Sequence, residues 1–293
     1  MKNNIKVLLT SFPLAILSLL ILVMPLFAAN NSESFKFAEG DTKELLLATT
    51  TSVYDTGLID TLAPLFERAC GFHLKTLAVG TGRALRMGRE KEVDVLLVHA
   101  PPEEEKFMKE GFGLSRTTIM HNHFVIAGPE SDPANISNAT TAKDAMSKLC
   151  LGNHLFCSRG DNSGTHQKEL IIRGQSALSK TDIQNWSNYK EVGQGQAATI
   201  RIADELSAYV LTDIGSYLFL SRTIKLKELF NKDDELLNKY SVITVSPDKD
   251  GKVAINTKGA NAFKDFLEKR GTKWIIGRKG IKEFGQQLFI PEE

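Results

Sequence analysis

From Glu44 onwards, apolar runs of strand length alternate with segments of helical periodicity, and three of the junctions carry the same chemistry. Ala48-Thr49-Thr50-Thr51-Ser52 follows the buried run Leu45 to Ala48 and precedes a helix. Gly80-Thr81-Gly82 follows the run Leu74 to Val79 and precedes a helix from about Arg83. Ser158-Arg159-Gly160-Asp161-Asn162-Ser163-Gly164-Thr165-His166 follows the short run Leu155 to Cys157 and leads into a third helix. Strands that alternate with helices imply an α/β fold built on mainly parallel sheets.

The strand-to-helix junction matters because ligands of open α/β sheets lie beyond the carboxyl ends of the strands. There the unpaired N–H groups and the positive dipole end of a helix favour an anion. Glycine lets the backbone approach closely, Ser and Thr hydroxyls donate further hydrogen bonds, and Arg159 offers a planar fork of charged donors. Taken singly, Ser, Thr and Asp at helix starts are ordinary caps. Three such loops, one with an arginine among small donors, favour an oxyanion pocket. The phosphate-loop pattern G-x-x-x-x-G-K-[ST] is absent, so a nucleotide is not indicated.

The remaining elements sketch two lobes. Asp55 and Thr56 are expected to cap a helix whose Leu58, Leu62, Leu65, Phe66 and Ala69 share a face, with Pro64 kinking it. Val93 to Val98 reads as a strand, and Glu104 to Glu110 as a short exposed helix whose acids form a solvated face. Phe124 to Ala127, followed by Gly128-Pro129, marks the first crossing into a second lobe, and Val210-Leu211-Thr212 is the candidate return strand. Lys225 to Lys239 is expected as helix plus loop, Ser241 to Val245 as a last strand, and Ala260 to Phe284 as C-terminal helices. Two crossings imply a cleft between the lobes. The boundaries drawn from this are 44–124 and 213–293 for the first lobe and 125–212 for the second, after a loose lead-in over 29–43.

Residues 1–28 have the organisation of a cleavable signal peptide. Lys2 and Lys6 precede an uncharged stretch from Val7 to Phe27, and Ala28-Ala29 supplies small residues at the exit, so cleavage is expected after Ala28. An uncleaved anchor fits less well, because Pro13 and Pro25 interrupt or end the apolar run. Cleavage changes 36 basic and 35 acidic residues to 34 and 35, a formal net charge of −1. Such a balance argues against a nucleic-acid binder with a broad basic face, and any charge-selective site must be built locally. A chain that is 42% hydrophobic and 24% charged is neither disordered nor a multi-span membrane protein.

An exported chain meets an oxidising compartment. Cys150 and Cys157 flank a six-residue turn and are candidates for a bridge, whereas Cys70 is expected to pack as a small hydrophobe. Other chemistry is weaker. His121 and His123 alternate onto one strand face without a third ligand nearby. Ser163 lacks the G-x-S-x-G elbow, His166 is too close along the chain to form a triad with it, and His99 at a strand end reads as structural.

In combination these stretches resemble the tungstate-binding proteins of tungstate ABC importers. The resemblance is carried by Thr49-Thr50-Thr51-Ser52 with Asp55-Thr56-Gly57-Leu58, by Ala78-Val79-Gly80-Thr81-Gly82, by Asp94 to Pro101, by Phe124-Val125-Ile126 with Gly128-Pro129, by the 158–166 loop and by Ala208-Tyr209 with Leu211-Thr212-Asp213. It covers roughly residues 44–220. It implies a type II periplasmic-binding-protein fold, two α/β lobes joined by two crossover strands, with Thr50, Thr51, Ser52, Thr81, Arg159, Ser163 and Thr165 as the ligand shell. It further implies no cofactor, no catalysis, tungstate or molybdate as ligand, and a monomer in the periplasm. The implied partners are an inner-membrane ABC permease and its ATPase. Val53 stands where a polar residue is common, and Arg83 stands at a variable position, either adding positive potential or facing solvent. The rivals are a binding protein for sulfate or phosphate, and an exported phosphoester hydrolase, which would need a metal cluster or a nucleophile–base pair.

Overall fold

The computed structural model describes residues 43–247 and 253–293. The expected signal peptide and nearly all of the lead-in lie outside the described residues. The first lobe opens with β1 (Glu44–Thr50), α1 (Thr51–Asp55), α2 (Leu58–Cys70), β2 (His73–Val79), α3 (Thr81–Arg89), β3 (Val95–Val98) and α4 (Pro101–Lys109). A long strand, β4 (Gly113–Gly128), then leaves it. The second lobe holds α5 (Ala142–Leu151), β5 (Phe156–Ser158), α6 (Gly164–Gln175), α7 (Lys180–Asn185), β6 (Tyr189–Glu191), α8 (Gln196–Glu205), β7 (Tyr209–Asp213), α9 (Ile214–Leu220) and β8 (Lys227–Phe230). The chain returns through β9 (Leu237–Val245) and ends with α10 (Thr257–Glu268), α11 (Arg270–Ile276), α12 (Ile281–Phe284) and β10 (Ile290–Pro291).

In the first lobe β1 lies between β2 and β3, parallel to both. Side chains alternate across a strand: Leu45 and Leu47 pack with Phe66 and Phe263 on one face, and Ala48 packs with Ala84 and Phe107 on the other. A strand covered on both faces reads as a continuous apolar run, which is why Leu45 to Ala48 does not alternate in polarity. β9 pairs antiparallel with β3 and with β4. In the second lobe β5 lies parallel between β6 and β7.

β4 is shared. Gly113 to His123 pairs with β9, and Phe124 to Ala127 pairs with β7. The two crossover strands are therefore β4 and β9. The candidate return at Val210-Leu211-Thr212 is corrected: that segment is β7, an interior strand of the second lobe. The stretch from Lys225 is corrected too. β8 pairs with β4 in the second lobe, and Phe230 and Leu236 are buried in that lobe's core, so the chain stays there until Leu237. An apolar run between helices cannot by itself reveal whether its partner strand lies in the same lobe or the other.

Three local expectations also change. α2 continues unbroken through Pro64, which sits on the exposed face, and its N-terminal boundary is Gly57, at φ +67°, not Asp55 or Thr56. Glu104 is not solvated but fully buried. Cys150 and Cys157 are both free. Cys150 packs on one side of the second sheet with Phe156, and Cys157, one position along β5, points to the opposite side.

Candidate functional site

The carboxyl ends of the parallel strands in both lobes face a cleft of ≈ 640 Å³ lined by Thr51, Gly80, Gly82, Arg83, Arg86, Arg89, Arg159, Asp161, Asn162 and Gly195. A Cβ added at Gly82 would lie 3.6 Å from the Asn162 carbonyl oxygen, so loops of the two lobes face each other across ordinary contact distance.

The first lobe contributes buried hydroxyls and, on α3, more exposed arginines. Thr50 ends β1 and caps α1, its Oγ1 accepting the Val53 N–H at 3.4 Å. Its hydroxyl is 3.1 Å from that of Ser52. Thr81 opens α3 between the two lining glycines and is buried, yet its hydroxyl has no partner. Arg83 and Arg86 lie on the exposed face of α3 and line the cleft, so Arg83 adds positive potential there while still in contact with solvent. Arg89 is tied to Glu110 at 3.1 Å.

The second lobe contributes the buried charge. Arg159 follows β5 and is buried, and its Nη2 donates to Asp161 and its Nη1 to Gln196 Oε1 at 3.3 Å. Its Nε is buried without a partner. A guanidinium has five N–H donors, so this pairing leaves part of the fork for a ligand. Burial alone would push the Asp161 carboxyl up, but hydrogen bonds from Ser163 and the Arg159 charge outweigh it and hold it below the usual carboxylate range. Asp161 also accepts the Ser163 N–H at 3.1 Å, and Ser163 caps α6 by accepting the His166 N–H at 3.3 Å. Gly160 has φ +60°, and a Cβ there would meet the Glu191 side chain at 2.7 Å. The tight turn that presents Arg159 therefore needs glycine.

Of the residues singled out from the sequence, Thr51 and Arg159 line the open cleft directly, and Thr81 sits between two that do. Thr50, Ser52, Ser163 and Thr165 are buried and are not part of that lining. Ser52 and the turn that carries Ser163 and Thr165 both approach His99 instead. Ser52 Oγ is 3.4 Å from His99 Nε2, and a Cβ at Gly164, between Ser163 and Thr165, would lie 2.8 Å from His99 Cε1. His99, taken as structural from the sequence, thus lies under the site. Gly195 and Gln196 were missed as well. They open α8, and the signal was present in Gly193-Gln194-Gly195-Gln196, a glycine-rich loop before a helix that lacks only the hydroxyls.

Ser52, His99 and Asn238 are arranged in the order of a nucleophile, a base and an orienting group. Burial pushes the His99 pKa down to about 4, against the Asn238 hydrogen bond. So weak a base is poorly matched to removing a serine proton at neutral pH. His166 receives the Asn162 N–H on Nδ1 and does not orient Ser163 through its ring. His121 pairs with Glu292 at 2.9 Å, and among the described residues no cluster of three or more His, Cys, Asp or Glu is placed to hold a metal.

Two lobes on shared crossover strands, with hydrogen-bond donors gathered at strand ends between them, define a solute-binding protein of the periplasmic-binding-protein class. Residues 37–269 match the PBP superfamily domain. The tungstate-binding protein TupA of Peptoclostridium acidaminophilum is 39% identical over 249 residues, 84% of this chain and 85% of that one. A solved tungstate-binding protein TupA from Desulfovibrio alaskensis G20 is 41% identical, with a TM-score of 0.72 over 85% of this chain and 98% of that one. A structure described as the tungstate ABC transporter from Geobacter sulfurreducens is 39% identical, with a TM-score of 0.70 over 80% of this chain and 97% of that one. The chain belongs to the TupA family, a family of solute-binding proteins and not of enzymes.

Proposed function

We propose that this chain captures tungstate, with molybdate as the competing ligand, and delivers it to an ABC permease and its ATPase. It does so as a monomer in the periplasm, after cleavage behind Ala28. Family membership supports the ligand class. The observation that carries the reading to this chain's own residues is the pair of buried donors without partners, Thr81 Oγ1 from the first lobe and Arg159 Nε from the second. An unmet buried donor costs about 1–3 kcal/mol, and an oxyanion between the lobes would relieve both. On this reading Thr50, Thr51, Ser52, Thr81, Arg159, Ser163 and Thr165 form the ligand shell, directly or through one another. Contacts from both lobes stabilise the closed form.

Selectivity follows from the donor set. Asp161 is the carboxylate in the lining, and Arg159 and Ser163 engage it. A hydrogen phosphate would bring a proton without an acceptor to receive it, and sulfate would be excluded by size. Titration calorimetry with sodium tungstate, molybdate, sulfate and phosphate tests this. Tungstate is expected to bind far more tightly than sulfate or phosphate, and equal affinity for sulfate would overturn the assignment.

A further inference from the structure

We propose that His99 is a positioning residue that couples occupation of the cleft to the angle between the lobes, by bonding to Ser52 on one side and to the Asn238–Asn122 pair of the crossover strands on the other. The inference rests on the oxyanion reading above. Asn122 on β4 and Asn238 on β9 are directly opposed in the ladder, two residues before β4 reaches the Phe124 to Ala127 segment that pairs with the second lobe. All four side chains are buried.

The bonds have a direction. Asn238 Nδ2 donates to Asn122 Oδ1 at 2.9 Å and to the Tyr240 hydroxyl at 2.8 Å. Asn238 Oδ1 is then the acceptor that faces His99 Nδ1, at 3.0 Å. A neutral imidazole that donates from Nδ1 carries its lone pair on Nε2, so the Ser52 hydroxyl at 3.4 Å donates to the ring. The Ser52 proton therefore points away from the cleft. An incoming oxyanion, an acceptor only, competes for that proton and for the Thr50 hydroxyl beside it. Drawing it away loosens His99 from the ligand loop and changes what Asn238 must bond.

Two further contacts give the ring its leverage. It packs 4.8 Å from the Tyr240 ring, centroid to centroid, and it lies against the first turn of α6 at Gly164, in the other lobe. Asn122 Nδ2 is buried without a partner. A rearranged hinge can satisfy that donor, so the present angle is not the one that bonds every group of the network.

The test uses the full mature chain, sodium tungstate, calorimetry and small-angle X-ray scattering. His99→Phe keeps an aromatic ring in place and removes both hydrogen bonds. Asn238→Asp keeps the acceptor for His99 and removes the donors to Asn122 and Tyr240. The wild type is expected to contract on adding tungstate. Each variant is expected to bind about tenfold more weakly and to lose at least half of the contraction. A folded variant that contracts as fully as the wild type overturns the inference while leaving the oxyanion reading intact, and so does a wild type that binds without contracting. A wild type that does not bind tungstate overturns both. Nitrogen-15 spectra of the unmodified protein supply a readout that needs no variant. They are expected to show His99 protonated on Nδ1 and bare on Nε2, with the Nε2 resonance moving on tungstate addition. An unmoved resonance contradicts the coupling even where neither variant folds.

Discussion

Glu104 and Arg159 are both buried charged side chains, and their surroundings differ in what they leave over. Glu104 accepts the Ala100 N–H at 2.7 Å on one oxygen and Arg116 Nε at 2.8 Å on the other. Asp94 is built the same way, receiving the Leu46 and Asn256 N–H groups at 2.8 and 2.7 Å. Arg159 has a carboxylate and an amide, and still keeps a buried N–H without a partner, as Thr81 keeps its hydroxyl. Nearly all buried polar groups in folded proteins are satisfied. The first region completes itself and stabilises the fold. The second leaves donors over, which on the proposed reading an oxyanion completes.

The comparison separates stability from affinity, and the largest test is at the self-sufficient end. Asp94→Ala leaves two backbone donors without acceptors. At about 1–3 kcal/mol each, denaturant unfolding should show a loss of about 2–6 kcal/mol, with tungstate affinity within about twofold of wild type. Arg159→Ala should do the reverse. Its fork gives charge-assisted hydrogen bonds of about 1.5–3 kcal/mol each, so calorimetry should show at least a ~100-fold loss of affinity, about 3 kcal/mol. Arg159→Lys keeps the charge without the fork and should recover part of it. A lower melting temperature with affinity intact would instead make Arg159 a holder of its own loop through Asp161.

His99 belongs to both regions, and pH separates its contributions. An unfolded histidine takes up a proton near 6.5, whereas the folded one takes it up only near 4. Between these values the unfolded state binds more protons, so stability is complete above pH 6.5 and falls as pH drops towards 4. The loss is at most about 3 kcal/mol. Denaturant titrations across that window should show a slope that His99→Phe reduces, the remainder coming from His123 and His166, whose burial also holds them below the ordinary histidine value. The smallest effect belongs to Thr81→Ala. Losing one neutral donor should cost roughly 1 kcal/mol, or about fivefold in affinity. The ligand-free protein should be no less stable, since an unsatisfied buried hydroxyl has been deleted.

The candidate site loops were legible because each gathers hydroxyl residues, two of them with glycine, at a strand-to-helix junction, a local pattern that needs no knowledge of the other lobe. What depends on distant pairing was not legible. Gln196 meets Arg159 across 37 positions, and Asn238 meets His99 across 139. Glu104 sits in an acid run that looks solvated until Arg116 is seen beside it. The return crossing was misplaced because β7 and the apolar end of β9 look alike in sequence, and only the ladder shows which of them pairs with the first half of β4. The cysteine bridge was excluded by strand alternation, which puts adjacent residues of β5 on opposite faces.

The central claim is that a tungsten oxyanion sits between Thr81 of the first lobe and Arg159 of the second. Crystals of the mature chain grown with sodium tungstate, measured at a tungsten absorption edge, locate the metal atom without reference to the protein. The account predicts one dominant anomalous peak in the cleft, with Thr81 Oγ1 and Arg159 Nε both within hydrogen-bond reach of the anion's oxygens. A peak elsewhere, or one in the cleft that leaves Arg159 Nε unbonded, would contradict it.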